Sequence, residues 1–319
     1  MDWRIKALIQ KFLSVTQLGD KMNHFPITLN KNYNRNVAVY QSHEALRKFN
    51  HANLDMRMDM TALEIGTGYS MLSAMILALL GFNKVITVDI TKDISFTSFK
   101  KQLKHFNNFE FTEKILSYSK YSPVEINEKL TLINKVSSLQ DLFSLLNIVY
   151  IAPYELADIE NHATRLDYIT SQVAFEHISP SILDALFEKT KSWLSEDGYC
   201  VHTINFIDHF ANPGILQDKS ISEFNFLKYS NRYWNFWAGN SIAYTNRLSY
   251  LFYLELCKKY DIEIVDFIGE NYRNRIEVNL SMIHEDILKK YHKTPNRDQL
   301  IRFQRGTLIL KGKQTNSIS

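Results

Sequence analysis

Cysteine is scarce: Cys200 and Cys257 are the only two in 319 residues. Two cysteines so far apart exclude a disulfide-stapled scaffold and a thiolate metal cage. A reducing compartment follows as the default, and a cytoplasmic location is expected. Glycine (10) and proline (6) are also few, which excludes a low-complexity or collagen-like chain. Long hydrophobic runs are missing too. The longest, Met71 to Leu80, is too short to span a bilayer, so no transmembrane segment is expected. A net charge of +3 supplies no broad basic surface. The lysines of Lys92–Lys104 are interspersed with Asp93, Phe96 and Phe99, the pattern of a solvated helix face, and no nucleic-acid partner is expected.

What is present suits a globular protein with a substantial core: 45% of residues are hydrophobic, and there are 17 Tyr, 20 Phe and 4 Trp. Met1–Leu18 predicts an amphipathic helix with Ile5, Leu8, Ile9 and Phe12 on its apolar face. Asp2, Arg4, Lys6 and Lys11 within that pattern are unlike a secretory leader. A second helix is expected over 36–50. Residues 1–58 thus read as a helical extension, which could pack on the domain or pair two copies as a homodimer.

From residue 59 to 313 the pattern alternates strands with helices. Strands are expected at 61–65, 85–90, 147–151, 166–171, 199–206, 261–268 and 306–311. Helices are expected at 69–80, 96–106, 111–118, 139–146, 180–193 and 246–260. Glu196–Gly198 reads as a turn. The fold class is α/β: a doubly wound, mostly parallel seven-stranded sheet whose last strands form an antiparallel edge. Insertions are expected at about 95–146 and 207–245, and a loose tail at 314–319.

The most informative segment is Thr61-Ala-Leu-Glu64-Ile-Gly66-Thr67-Gly68-Tyr-Ser70. A short apolar strand reaches an acid, turns through two glycines and enters a helix. A second strand, Lys84–Val88, ends on Asp89. Glycines let the backbone turn sharply, and the following helix aims its amides at a ligand. A dinucleotide fold usually has a third glycine where this chain has Met71, and an acid beside the turn would repel a pyrophosphate. A cationic nucleoside suits the bend better.

Glu64-Ile-Gly66-Thr-Gly68-Tyr-Ser70 resembles the first motif of class I S-adenosylmethionine-dependent methyltransferases, with Ser70 in place of the third glycine. Asp89 resembles that family's second-strand acid, which takes the ribose hydroxyls. Leu166–Ser171, Phe175–Ile178 and Leu194–Gly198 are similar to later segments of that family, and Asn246-Arg-Leu248 resembles the start of the helix before strand six in many of its small-molecule members. The resemblance implies a Rossmann-like fold, S-adenosyl-L-methionine as cofactor, and cofactor contacts from Glu64, Gly66, Thr67, Gly68, Asp89, Ile90 and Ser171. The family's adenine-binding acid after strand three is replaced by Ala152-Pro153, so that role falls to Glu155 or Asp158. The implied function is methyl transfer to a small-molecule acceptor, with a hydroxyl as first choice: a sugar, a glycan precursor or a secondary metabolite.

Glu176 and His177 lie where the family's acceptor pocket opens. The segment His202–Phe210 leaves the carboxyl end of strand five, where open α/β sheets bind ligands. His209 is the expected base for an acceptor hydroxyl, with Asp208 orienting it and His177 and His202 as other candidates. Asp167, at a strand start, reads as structural. These residues lack a metal-ligand spacing, and no metal is expected. Nine aromatics between Phe210 and Tyr244, flanked by Arg232 and Arg247, read either as a subcore or as a lid over the acceptor. Two other classes stay open: a nicotinamide-dependent oxidoreductase, and a catalytically silent binding module that uses the nucleoside fold as an assembly surface.

Overall fold

The computed structural model describes residues 1–15, 31–57, 59–108, 110–212, 217–242, 244–272 and 276–312. The expected helix end at 16–18 and the tail at 314–319 lie outside them.

Helices α1 (Trp3–Ser14) and α2 (Tyr33–Ala52) precede the sheet. Strand β1 (Thr61–Ile65) leads through α3 (Leu72–Leu80) to β2 (Lys84–Val88). All nine residues of α3 are buried, and Gly81 ends the helix with φ +117°. Only glycine takes that left-handed geometry without strain. Four helices lie between β2 and the next strand: α4 (Phe96–Phe106), α5 (Phe111–Leu116), α6 (Pro123–Lys135) and α7 (Leu139–Leu146). Helix α6 is absent from the expected elements. Its start carries a capping box, with Ser122 and Glu125 bonding each other's backbone and Pro123 in the first turn.

Strand β3 (Ile148–Ile151), α8 (Leu156–Glu160), β4 (Leu166–Gln172), α9 (Pro180–Trp193) and β5 (Leu194–Asn205) complete the parallel part. Ser179 caps α9 and Pro180 sits in its first turn, as expected. Then come α10 (Asn231–Ala238), α11 (Tyr250–Lys259), β6 (Glu263–Glu270), α12 (Glu285–Leu288) and β7 (Arg305–Lys311). The described strands form one sheet in the order β3-β2-β1-β4-β5-β7-β6. Strand β7 is antiparallel to both neighbours, and the other pairings are parallel. The expected seven-stranded α/β sheet with an antiparallel edge is therefore present.

Side chains alternate across the sheet. Leu63, Ile65, Ile86, Val88, Ile169, Cys200 and Leu308 enter one core together with α9, α11 and the aromatic segment. Ala62, Val85, Tyr168, Val201 and Ile309 enter the other, against α2 to α7.

Three expectations are corrected. The face of α1 that packs is Trp3, Ala7 and Gln10, while Ile5, Leu8, Ile9 and Phe12 are exposed. The local apolar stripe was outweighed by the docking of one indole, since Trp3 stacks on Trp234 at 5.2 Å and lies 5.4 Å from Tyr229 and 5.6 Å from Phe210. Glu196–Gly198 is no separate turn. Strand β5 begins at Leu194, and the extra residues form a bulge between the pairs Leu166–Leu194 and Tyr168–Tyr199. Helix α11 starts at Tyr250, not 246, because Arg247 has φ +57° and Asn246 turns its amide to the 175–178 segment.

Candidate active site

Strands β1 and β2 run parallel with Ile65 opposite Val88, so Glu64 and Asp89 come to the same edge of the sheet. The Gly66 and Thr67 amides both donate to the Val88 carbonyl, at 2.8 and 3.2 Å. The Gly68 amide donates to Asp89 Oδ2 at 2.7 Å, and the Thr91 amide to Asp89 Oδ1 at 3.2 Å. The bend and the second-strand acid are one unit.

Its two glycines differ in purpose. Gly66 has φ +87°, and a Cβ there would meet the Ala174 Cβ at 2.7 Å. Gly68 has φ +60° but open space where a Cβ would point. Gly66 lets the segment after β4 press against the bend, whereas the space beside Gly68 is open to at least 4 Å.

Glu64 is only 3% exposed. The Thr87 hydroxyl donates to Glu64 Oε2 at 2.7 Å, and Thr67 and Thr87 share a hydroxyl contact of 2.6 Å. Burial raises the Glu64 pKa, against bonds from Ser73 and Thr87 and the charge of Lys48. Lys48, on α2, is itself buried, and its Nζ donates to the Ser171 carbonyl at 3.0 Å. Burial pushes the Lys48 pKa down to about 8, with Glu64 pulling the other way. The carboxylate read from the sequence as facing a cationic ligand thus already lies in the field of a buried cation, and that cation comes from the N-terminal segment.

Thr67 is buried and Ile90 is 66% exposed. Ser171 is fully buried, and its hydroxyl lies 2.9 Å from His202 Nδ1. With its carbonyl taken by Lys48, Ser171 braces the strand end rather than lining open space. His202 stacks against Phe175 with ring centres 4.4 Å apart, and burial lowers its pKa to about 3. Buried between Phe175 and Ser171, it sits in the core rather than at an open acceptor position. Glu155 and Asp158, the candidates for adenine, instead close a capping box at the start of α8. Tyr154 was not singled out. Burial pushes its pKa up to about 12, and the charge of Asp89 acts in the same direction. Asp167 accepts from the Thr61 amide and the Ser195 hydroxyl, as a structural residue would.

The catalytic candidates gather on the neighbouring wall. The rings of His177 and His209 lie 4.9 Å apart. One ligand atom from each of Glu176, His177 and His209 falls within 4.8 Å of the other two. His177 Nδ1 lies 3.1 Å from the Tyr244 carbonyl, and burial lowers its pKa. Glu176 is 4% exposed, neither of its carboxylate oxygens closes a hydrogen bond, and burial pushes its pKa up to about 8. Asn246 fixes this turn: its amide Nδ2 donates to the Phe175 and Ile178 carbonyls at 2.7 and 2.9 Å, and its N–H to the Glu176 carbonyl. Asp208 is fully buried and accepts from the Phe210 amide and Asn225 Nδ2. Burial pushes its pKa up to about 7, and the nearby charges are Lys6 and Arg247. Its bonds hold the aromatic segment in place.

The aromatics are a packed subcore: Phe210, Phe226 and Trp234 are buried, and α1 is tied on by Lys11 to the Phe236 carbonyl and Arg4 to the Tyr233 hydroxyl. Arg247 is buried and donates to the Tyr229 carbonyl. A separate cavity of ≈ 340 Å³, lined by Phe49, Asn53, Met56, Tyr118 and Lys120 among others, includes none of the candidate site residues. No helix among the described residues is long and apolar enough to cross a membrane.

No family model and no curated relative matches the sequence. Solved structures resemble the chain distantly. An S-adenosylmethionine-dependent methyltransferase from Clostridium acetobutylicum is 11% identical over 92% of this chain and 98% of that one, with a TM-score of 0.42. The geranyl diphosphate C-methyltransferase of Streptomyces coelicolor is 9% identical over 89% and 85%, with a TM-score of 0.38. Phosphoethanolamine N-methyltransferase 2 of Haemonchus contortus is 13% identical over 89% and 59%, with a TM-score of 0.41. Likenesses this distant leave the chemistry to be argued from the residues of this chain.

Proposed function

We propose that the chain binds S-adenosyl-L-methionine at the β1–β2 bend and transfers its methyl group to a small-molecule acceptor, with a hydroxyl as the acceptor atom. The observation that carries the reading is the joining of Gly68 to Asp89 at 2.7 Å, beside a Gly68 face left open. An acid held at a glycine bend suits ribose hydroxyls and a cationic nucleoside. The absence of a glycine at Met71, which is 1% exposed, removes the close backbone approach a pyrophosphate requires.

When bound, the donor supplies an electrophilic methyl on a sulfonium. Asp89 would accept from the ribose hydroxyls, with the exposed Ile90 and Tyr154 flanking the base. Glu64 and Thr67 would hold the bend from beneath through Thr87. On the adjoining wall, His209 would take the acceptor proton, with His177 against its ring. The contribution of Asp208 would be to seat that segment through Asn225 and Phe210. Alignment and exclusion of water supply the rest of the rate.

The exposed apolar face of α1 is the surface we assign to self-association as a homodimer. The free thiols Cys200 and Cys257 fit a reducing compartment, and we keep the cytoplasm as the proposed location.

The test is a methyl-release assay against hydroxylated small molecules. Turnover that falls at least about a hundredfold in His209→Ala, with donor affinity unchanged, supports the base. Unchanged turnover removes that role from His209. Methylation of amines or carbon nucleophiles alone would overturn the hydroxyl assignment.

A further inference from the structure

Glu176, His177 and His209 are brought together from two segments, the turn after β4 and the turn after β5. Their ligand atoms all fall within 4.8 Å of one another. Two imidazoles and one carboxylate are a donor set used for first-row divalent metals, with coordination positions left open.

A second, independent observation is Glu176. Its side chain is 4% exposed, and neither oxygen closes a hydrogen bond, although the Asn205 side chain and backbone lie close by. Burial disfavours the ionised form there, and a cation beside it would favour that form. The side chains that face it include Asn205 and the two imidazoles of His177 and His209. The backbone around it is fixed by Asn246, whose side chain and N–H hold the carbonyls of Phe175, Glu176 and Ile178. His177 meets the Tyr244 carbonyl through Nδ1 at 3.1 Å. That contact orients the ring and reserves Nε2 for a ligand, the outer-shell arrangement usual for a metal-binding histidine.

We propose that Glu176, His177 and His209 bind one divalent first-row transition cation, of the zinc or ferrous type, on the acceptor side of the cleft. Two nitrogen donors favour such a cation over magnesium or calcium, which prefer all-oxygen sites. Metal–ligand bonds of about 2.1 Å need ligand atoms roughly 3–3.5 Å apart, so the set closes slightly on binding, His177 moving most because it lies at the exposed rim. Ala174, between this turn and the bend, is the residue that Gly66 packs against, so the cation would stand next to the donor site. There its open positions would take an acceptor oxygen and lower its pKa, a role that would replace that of His209 as base while the cation is bound. That role rests on the methyl-transfer reading; the binding itself does not.

The probes are Zn²⁺ and Co²⁺, titrated calorimetrically and by visible absorption into the full chain freed of metal with a chelator. One-to-one Zn²⁺ binding is expected, together with a Co²⁺ ligand-field band. His177→Ala, at the rim, and His209→Ala should each weaken binding by about tenfold or more. Glu176→Gln should do the same while keeping the side-chain shape. Magnesium should bind more weakly than Zn²⁺. The proposal is overturned if Zn²⁺ fails to bind, or binds equally well to His177→Ala, a variant whose exposed position leaves folding intact. S-adenosylhomocysteine titrated into the same samples keeps the two readings apart. Its binding without Zn²⁺ binding sinks the cation alone, and Zn²⁺ binding without it sinks the donor reading alone.

Discussion

Lys48 Nζ donates to the Ser171 carbonyl at 3.0 Å, so a helix that precedes the whole sheet holds the end of its central strand β4. The same buried ammonium faces the field of Glu64 beneath the glycine bend. Lys48→Met should therefore do more than lose one bond. It leaves the buried Ser171 carbonyl without its donor and removes a charge that favours ionised Glu64, and a loss of about 1–3 kcal/mol is expected by denaturant unfolding. Adding Glu64→Gln should return a substantial part of that loss. Strictly additive losses would show that the two charges are not coupled.

The pH dependence of stability follows from His202. Its folded pKa is lowered by burial from 6.5 to about 3. Between those values the unfolded chain binds the proton and the folded chain does not, so this group makes stability fall as the pH drops. The slope is of order 1 kcal/mol per pH unit. His202→Leu should flatten the stability profile across that window relative to the parent, whatever its absolute stability. An unchanged slope would mean that His202 is already charged in the folded state.

Gly66 and Gly68 should separate fold from binding. Gly66→Ala combines a positive φ with a Cβ 2.7 Å from Ala174, and a loss of at least about 2 kcal/mol is expected. Gly68→Ala meets no neighbour and should lose only about 1 kcal/mol, the penalty for its left-handed backbone. Thermal melts that show equal losses would contradict the packing of the 173–178 segment on the bend.

Trp3 should anchor α1. Trp3→Ala removes an indole that is 1% exposed and stacked within the aromatic subcore, and a loss of about 3 kcal/mol or more is expected, with faster proteolytic release of the N-terminus. Phe12→Ser, on the exposed face, should change monomer stability by less than about 0.5 kcal/mol. A large loss from Phe12→Ser would show that this face is covered.

The sheet was legible because its punctuation is local. Glu64, Gly66, Gly68 and Asp89 each mark a strand end, and parallel pairing of β1 with β2 then sets the two acids side by side. Helix α6 has a local signal too, the capping box of Ser122-Pro-Val-Glu125, but its apolar pattern is weaker than those of its neighbours. What could not be read is what arrives from a distance. Lys48 reaches the bend from α2, Asn246 reaches the 175–178 turn from the chain before α11, and Trp3 turns α1 over, leaving its apolar stripe outward. Glu176 and His177 were adjacent on paper. Their meeting with His209 depends on two turns from different strands, and no spacing rule records that.

The central claim is that the Gly68–Asp89 unit receives a sulfonium nucleoside. Isothermal titration of S-adenosylhomocysteine into the parent chain and into Asp89→Asn tests it most directly. One-to-one binding is expected in the parent, weakened by about tenfold or more in the variant, where an uncharged amide replaces the acid that would hold the ribose. Failure of the parent to bind, equal binding by both proteins, or binding of NADH in its place would contradict the account.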